Sequence, residues 1–221
     1  VKDDSLLEEL KEQLRVLDEQ YHRAAHKLSL SRQKAAKSFA KLVEKNIHQM
    51  NMAEAVFKID VEHHIEGTPN KLGLDSVKFL VSTNLGQAFD NLEKVVSGGE
   101  LSRIGLAIQV ISSSNNDIAT MIFDEVDSGI SGSTASVVGQ LLRKLGDSVQ
   151  VICVTHLPQV AARAHNQMFV TKFSDKKTTE THMISLQENE RIEELARLLA
   201  GDTLTESAIA NARELLQISN S

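Results

Sequence analysis

Ala119-Thr120-Met121-Ile122-Phe123-Asp124-Glu125 is an apolar run that ends in two adjacent carboxylates. Its length and composition predict a buried strand over 120–123. In a parallel α/β sheet the C-terminal edge of the strands is where ligands bind. Successive residues of a strand point opposite ways, so Asp124 and Glu125 are expected to have different jobs. One can hold Mg²⁺, directly or through water, while the other orients and polarises an attacking water. An ordinary strand end leading into a turn has the same composition.

Three further stretches flank this one. Asp127-Ser128-Gly129-Ile130-Ser131-Gly132 is a glycine-punctuated loop directly after the acidic pair, readable also as a turn plus a helix cap. Val151-Ile152-Cys153-Val154-Thr155-His156 reads as a second buried strand, delivering a hydroxyl and an imidazole at its end. Cys153 reads there as small buried filler. Upstream, Val96-Ser97-Gly98-Gly99-Glu100-Leu101-Ser102-Arg103 places two glycines at the start of a helix. Unpaired N–H groups and the dipole make such a terminus an anion site. The same residues also fit a plain capping box, Ser97 as N-cap and Glu100 at N3.

The remaining pattern alternates strands and helices. Strands are expected at Ala55–Glu62, Ser76–Ser82, Val149–Val154, Met168–Phe173 and Thr179–Leu186, the last two forming a hairpin around 174–177. Helices are expected at about Gly99–Ser113, Ser133–Leu145, Leu157–Ala164, Glu190–Ala200 and Thr205–Ile218. The middle of the chain therefore predicts an α/β fold with a parallel sheet. Residues 1–66 contain neither Pro nor Gly. Leu7, Leu10, Leu14, Leu17, Tyr21, Ala24 and Leu28 follow a 3-4 spacing, which predicts one long N-terminal coiled-coil helix over 1–50. Residues 51–221 then form the second part of the molecule. The partner of the coiled-coil helix is expected in other sequence or another subunit, and the chain reads as a piece of something longer.

Composition excludes several classes. The chain is 221 residues with 41% hydrophobic residues, enough for a core. Aromatics at 4% argue against a base-stacking platform. One cysteine excludes a disulfide framework and a Cys-rich zinc site, and fits a reducing cytoplasm. No apolar run is long enough to span a membrane. The net charge of -6 hides a split: residues 1–50 carry ten Lys/Arg against eight Asp/Glu, and the acidic excess lies beyond them.

The order and spacing of the motifs resemble the C-terminal half of ABC-type ATPases: signature motif, Walker B, D-loop and switch histidine. Phe79-Leu80-Val81-Ser82-Thr83-Asn84, the Ser97–Arg103 and Ile122–Gly132 stretches, Val154-Thr155-His156-Leu157-Pro158-Gln159-Val160-Ala161 and Arg191–Gly201 resemble the bacterial RecN DNA-repair family, SMC-like ABC ATPases, over nearly the whole chain. The resemblance implies a P-loop NTPase head, of which this is the C-terminal lobe, acting in recombinational repair of DNA double-strand breaks. It implies ATP sandwiched between two heads of a homodimer. Ser97, Gly98, Gly99 and Glu100 would face nucleotide held by the opposing head, Asp124 would support Mg²⁺, and Glu125 would be the general base or position the water. Asp127 would lie at the dimer seam and His156 would sense the γ-phosphate.

No glycine here is followed by Lys-Ser or Lys-Thr, so the phosphate loop Gly-x-x-x-x-Gly-Lys-Ser/Thr is absent from this chain. The resemblance puts it in an N-terminal lobe, the first expected partner, and the chain alone is expected to be inactive. Non-sequence-specific DNA is the second expected partner, with a cytoplasmic, nucleoid-associated location. Arg23, Lys27, Arg32, Lys34, Lys37, Lys41 and Lys45 could neutralise phosphates, or could form a solvated coiled-coil face. Two other readings compete: another SMC-like head, and a non-catalytic coiled-coil module with a degenerate head.

Overall fold

A computed structural model describes residues 2–95, 97–112, 118–174, 179–201 and 203–220, with the side chains of 2–4, 173, 174, 179, 219 and 220 excepted. The chain divides into two compact units, residues 1–45 with 54–95, and residues 46–53 with 96–221.

The first unit is built on helix α1 (Lys2–Gln49). No Gly or Pro interrupts it, and Ala25, Ala36 and Val43 recur along one side as its buried stripe. Against that side lies an antiparallel hairpin, β1 (Val56–His63) with β2 (Asp75–Ser82), in register from Val56 opposite Ser82 to His63 opposite Asp75. A two-residue strand β3 (Asp90–Asn91) pairs with β2. Phe57 stacks on Phe79 with ring centroids 5.8 Å apart. Polar contacts pin helix to hairpin. The Tyr21 hydroxyl donates to the Asn70 carbonyl and accepts from its N–H. Arg32 Nη1 donates to Asp75 Oδ2 at 2.9 Å, and His63 Nδ1 lies 2.7 Å from Asp75 Oδ1. Leu7, Leu10, Leu14 and Leu17 of the expected seam stand exposed. Among the described residues no second helix approaches α1 in length.

The second unit holds α2 (Gly98–Ser112), β4 (Thr120–Phe123), α3 (Gly132–Gly146), β5 (Gln150–Cys153), α4 (Pro158–Ala161), the hairpin β6 (Met168–Ser174) and β7 (Thr179–Ser185), then α5 (Glu188–Ala200) and α6 (Glu206–Asn220). The middle of the expected 174–177 turn lies outside the described residues, as does Ser113. β4 and β5 are parallel, in register from Thr120 opposite Gln150 to Phe123 opposite Cys153. α3 buries Ala135, Val138, Leu142 and Leu145, spaced three and four apart as one helical face. Small residues let the last helices approach closely: Ala161, Ala162, Ala196, Ala208 and Ala212 cluster with Leu195 and Leu216.

One expectation needs correcting. β4 and β5 are not buried on both faces. Met121 and Phe123 point into the core, but Ile122 is 70% exposed, Ile152 47% and Val154 59%. The described residues cover the inner face and leave the outer one open. A continuous apolar run reads as two-sided burial, yet the second cover is not supplied by the described residues.

Candidate functional site

Strand pairing sets the frame. The β4–β5 ladder runs one step past its last pair, with the Val154 N–H donating to the Phe123 carbonyl at 3.0 Å. Both strands end on one edge, so the residues after them, 124–132 and 155–156, share it.

The acidic pair turns sharply there. Asp124 Oδ1 accepts the Glu125 N–H at 2.9 Å, and the Glu125 carbonyl accepts the Ser128 N–H at 3.0 Å. Glu125 has φ 57°, left-handed for a side chain that ordinarily avoids that region. The turn carries its carboxylate onto the first residue of α2. A Cβ on Gly98 would lie 2.5 Å from Glu125 Oε2, so glycine is what admits the approach. Gly99 meets the following loop in the same way: its Cβ would lie 3.0 Å from Ser128 Cβ and 3.1 Å from the Ser128 carbonyl oxygen. The helix N-terminus, with its unpaired N–H groups, thus faces a carboxylate, the favourable sign for its dipole. Ser97 Oγ accepts the Glu100 N–H at 3.3 Å, one arm of the expected capping box. Val96 lies outside the described residues.

Asp127 turns inward. It is 3% exposed. Its Oδ2 accepts the Thr155 hydroxyl at 2.5 Å and the His156 N–H at 3.2 Å, and lies 3.4 Å from His156 Nδ1. Thr155 Oγ1 in turn accepts the Leu157 N–H at 3.0 Å. The carboxylate therefore braces the exit of β5, while the His156 side chain is 74% exposed. Ser128 and Gly129, next in the same loop, are exposed.

The structure adds three residues to those expected from sequence. Ser102 Oγ donates to the Asp124 carbonyl at 2.9 Å. Arg103, 5% exposed, donates from Nη1 to the Ser128 carbonyl at 2.7 Å; burial pulls its guanidinium below its ordinary pKa, with Glu100 opposing. Thr155 is the third. A cation on the apolar side of α2, beside Ile104 and Ala107, is the one signal that could have marked Arg103. Cys153 is half-buried, and burial, with Asp127 and Asp124 nearby, pushes its thiol up to about 12.

Among the described residues no group of three or more His, Cys, Asp and Glu is arranged to hold a metal. Asp124 offers one exposed carboxylate at the strand end. One carboxylate with substrate phosphates is an ordinary way to hold Mg²⁺, and Asp124 fits that role.

No family model matches the chain. It is 52% identical over 213 residues to the DNA repair protein RecN of Vibrio cholerae, covering 96% of this chain and 38% of that protein. It is 49% identical over 200 residues to RecN of Haemophilus influenzae, covering 90% and 36%. The chain thus spans a little over a third of the relatives it matches. In fold it is similar to the Smc head domain of Pyrococcus furiosus, solved with an extended coiled coil and bound to the C-terminal domain of ScpA. That likeness has a TM-score of 0.55 at 17% identity and covers 89% of this chain and 46% of the other. The chain belongs to the RecN family and has the fold of an SMC-like ABC ATPase head.

Proposed function

We propose that this chain is the signature-bearing lobe of a RecN ATPase head acting in recombinational repair of DNA double-strand breaks. The observation that carries the reading is one edge shared by three elements: the Ser97-Gly98-Gly99 helix terminus, the Asp124-Glu125 turn, and the Asp127-braced His156.

ATP with Mg²⁺ supplies the phosphoryl group and neutralises its charge. The chain's own residues do the positioning, which is most of catalysis in phosphoryl transfer. Ser97 and the N–H groups of Gly98 and Gly99 contact a γ-phosphate presented by the opposing head. Asp124 takes the ion. Glu125 accepts the proton of the attacking water or orients it, and His156 donates toward the phosphoryl oxygens. The phosphate-loop lysine comes from an N-terminal lobe of the same protein. The open apolar face of Ile122, Ile152 and Val154 supports such a lobe, since an exposed sheet face of this kind is ordinarily covered. The exposed leucines of α1 support a coiled coil with a second arm.

Mixing two inactive variants of the complete protein tests this. Ser97→Arg and Glu125→Gln each abolish turnover alone. Mixed dimers hold one site with both residues intact, so equal mixing restores about a quarter of wild-type ATPase. No recovery at any ratio contradicts the arrangement in trans.

A further inference from the structure

Helix α1 changes character along its length. In its first half each described cation has an acidic neighbour. Lys11 pairs with Glu8 at 2.9 Å, and Arg15 with Glu12 at 2.7 Å and Glu19 at 2.5 Å. Arg23, the last cation of that half, reaches Glu19 at 3.9 Å. Beyond it Arg32 pairs with Asp75 on the opposite side of the helix, and the lysines differ. Lys27, Lys34, Lys37, Lys41 and Lys45 are exposed, and none makes an ion pair among the described residues.

Their spacing is not scattered. At 3.6 residues per turn, Arg23, Lys27, Lys34, Lys37, Lys41 and Lys45 fall within an arc of about 80°. That arc lies on the side of α1 away from buried Ala25, Ser29, Ala36 and Val43. The apolar line Leu7, Leu10, Leu14, Leu17, Tyr21, Ala24, Leu28 lies about a sixth of a turn or more from it, and so does not coincide with the cations. Arg23 with Lys27, Lys34 with Lys37, Lys37 with Lys41 and Lys41 with Lys45 are like-charge neighbours at three or four residues, which weakens a helix. In the first half Lys11 and Arg15 stand at the same spacing, but each is paired with a glutamate, and the lysines of this stripe are not.

We infer that this stripe is a docking surface for the phosphate backbone of duplex DNA. From Arg23 to Lys45 it runs about 33 Å along a straight helix, close to one turn of the duplex. Leu30 is the one large apolar side chain exposed along it, and no aromatic stands on it, so neither insertion into a lipid surface nor base stacking is provided for. Binding is therefore expected to be independent of sequence and steeply salt-dependent. The proposal rests on the reading above only for choosing DNA among polyanions; the stripe lies outside the ATPase residues.

The test is fluorescence anisotropy of the complete protein with a labelled duplex of about 30 base pairs and arbitrary sequence, titrated across salt. Lys34→Glu/Lys37→Glu/Lys41→Glu is expected to weaken binding roughly 100-fold or more near 0.1 M salt and to flatten the log–log salt slope by about 3. The triple Gln variant flattens the slope by a similar amount. Lys11→Glu changes neither quantity. ATPase without DNA stays at the wild-type rate in all three, which separates this result from a failure of the ATPase reading. Unchanged affinity and slope in the triple variants overturn the proposal. So does loss of binding to anionic phospholipid vesicles with DNA affinity intact, which would assign the stripe to a membrane surface.

Discussion

The Thr155 hydroxyl donates to Asp127 Oδ2 at 2.5 Å, tying the exit of β5 to the loop that follows β4. The two residues lie 28 positions apart, yet their bond fixes the site's edge from both sides. Asp127 is buried and His156 exposed, so the two should respond differently to truncation. Asp127→Ala strands a hydroxyl and an amide without an acceptor and is expected to cost about 1–3 kcal/mol. His156→Ala is expected to stay within about 0.5 kcal/mol of wild type, because its ring is open to solvent. Denaturant unfolding of both variants checks this, and equal losses would contradict the brace.

The two glycines of α2 should also separate. A Cβ at Gly99 meets the Ser128 backbone carbonyl and Cβ, neither of which yields easily. Gly99→Ala is expected to destabilise by about 1–3 kcal/mol. At Gly98 the obstacle is the far end of the Glu125 side chain, which can swing away. Gly98→Ala should therefore preserve the melting temperature while lowering ATP turnover of the complete protein. A large drop in melting temperature for Gly98→Ala would show that the Glu125 carboxylate is fixed.

Asp75 carries a pH dependence. Burial raises its pKa, but the hydrogen bonds from Arg32 and His63 outweigh burial and leave it below the ordinary 3.8. A depressed carboxylate contributes stability above its unfolded pKa and loses it as pH falls through the folded value. The stability gap between wild type and Asp75→Asn should be full at about pH 5 and shrink below about 3.8. A gap unchanged down to about pH 2 would contradict the assignment.

Cys153 should be inert in the native state. With a pKa of about 12 rather than the ordinary 9.0, its thiolate fraction near pH 8 falls about a thousandfold. Alkylation by iodoacetamide at that pH should be correspondingly slow and become ordinary on unfolding. Native-state labelling at the free-thiol rate would refute it.

Much of this was legible in the chain. The 48-residue α1 follows from a stretch without Gly or Pro. β4 and β5 follow from short apolar runs, and the hairpin β6–β7 from two β-rich segments. The exposed side of β4–β5 was not legible, because burial of a face depends on what covers it, and Ile122 looks the same covered or bare. The inward carboxylate of Asp127 was not legible either, because it depends on Thr155, which no local pattern links to it. The left-handed Glu125 was equally hidden, since glutamate carries no turn signal of the kind Gly or Asn gives. The two-residue β3 has too few residues to show a period.

ATP binding and turnover of the complete protein carrying Glu125→Gln decide whether Glu125 serves the attacking water. Nucleotide affinity is expected to stay near wild type while turnover falls by at least about 100-fold, since charge at that position is needed only for the water's attack. Turnover at the wild-type rate would contradict that role.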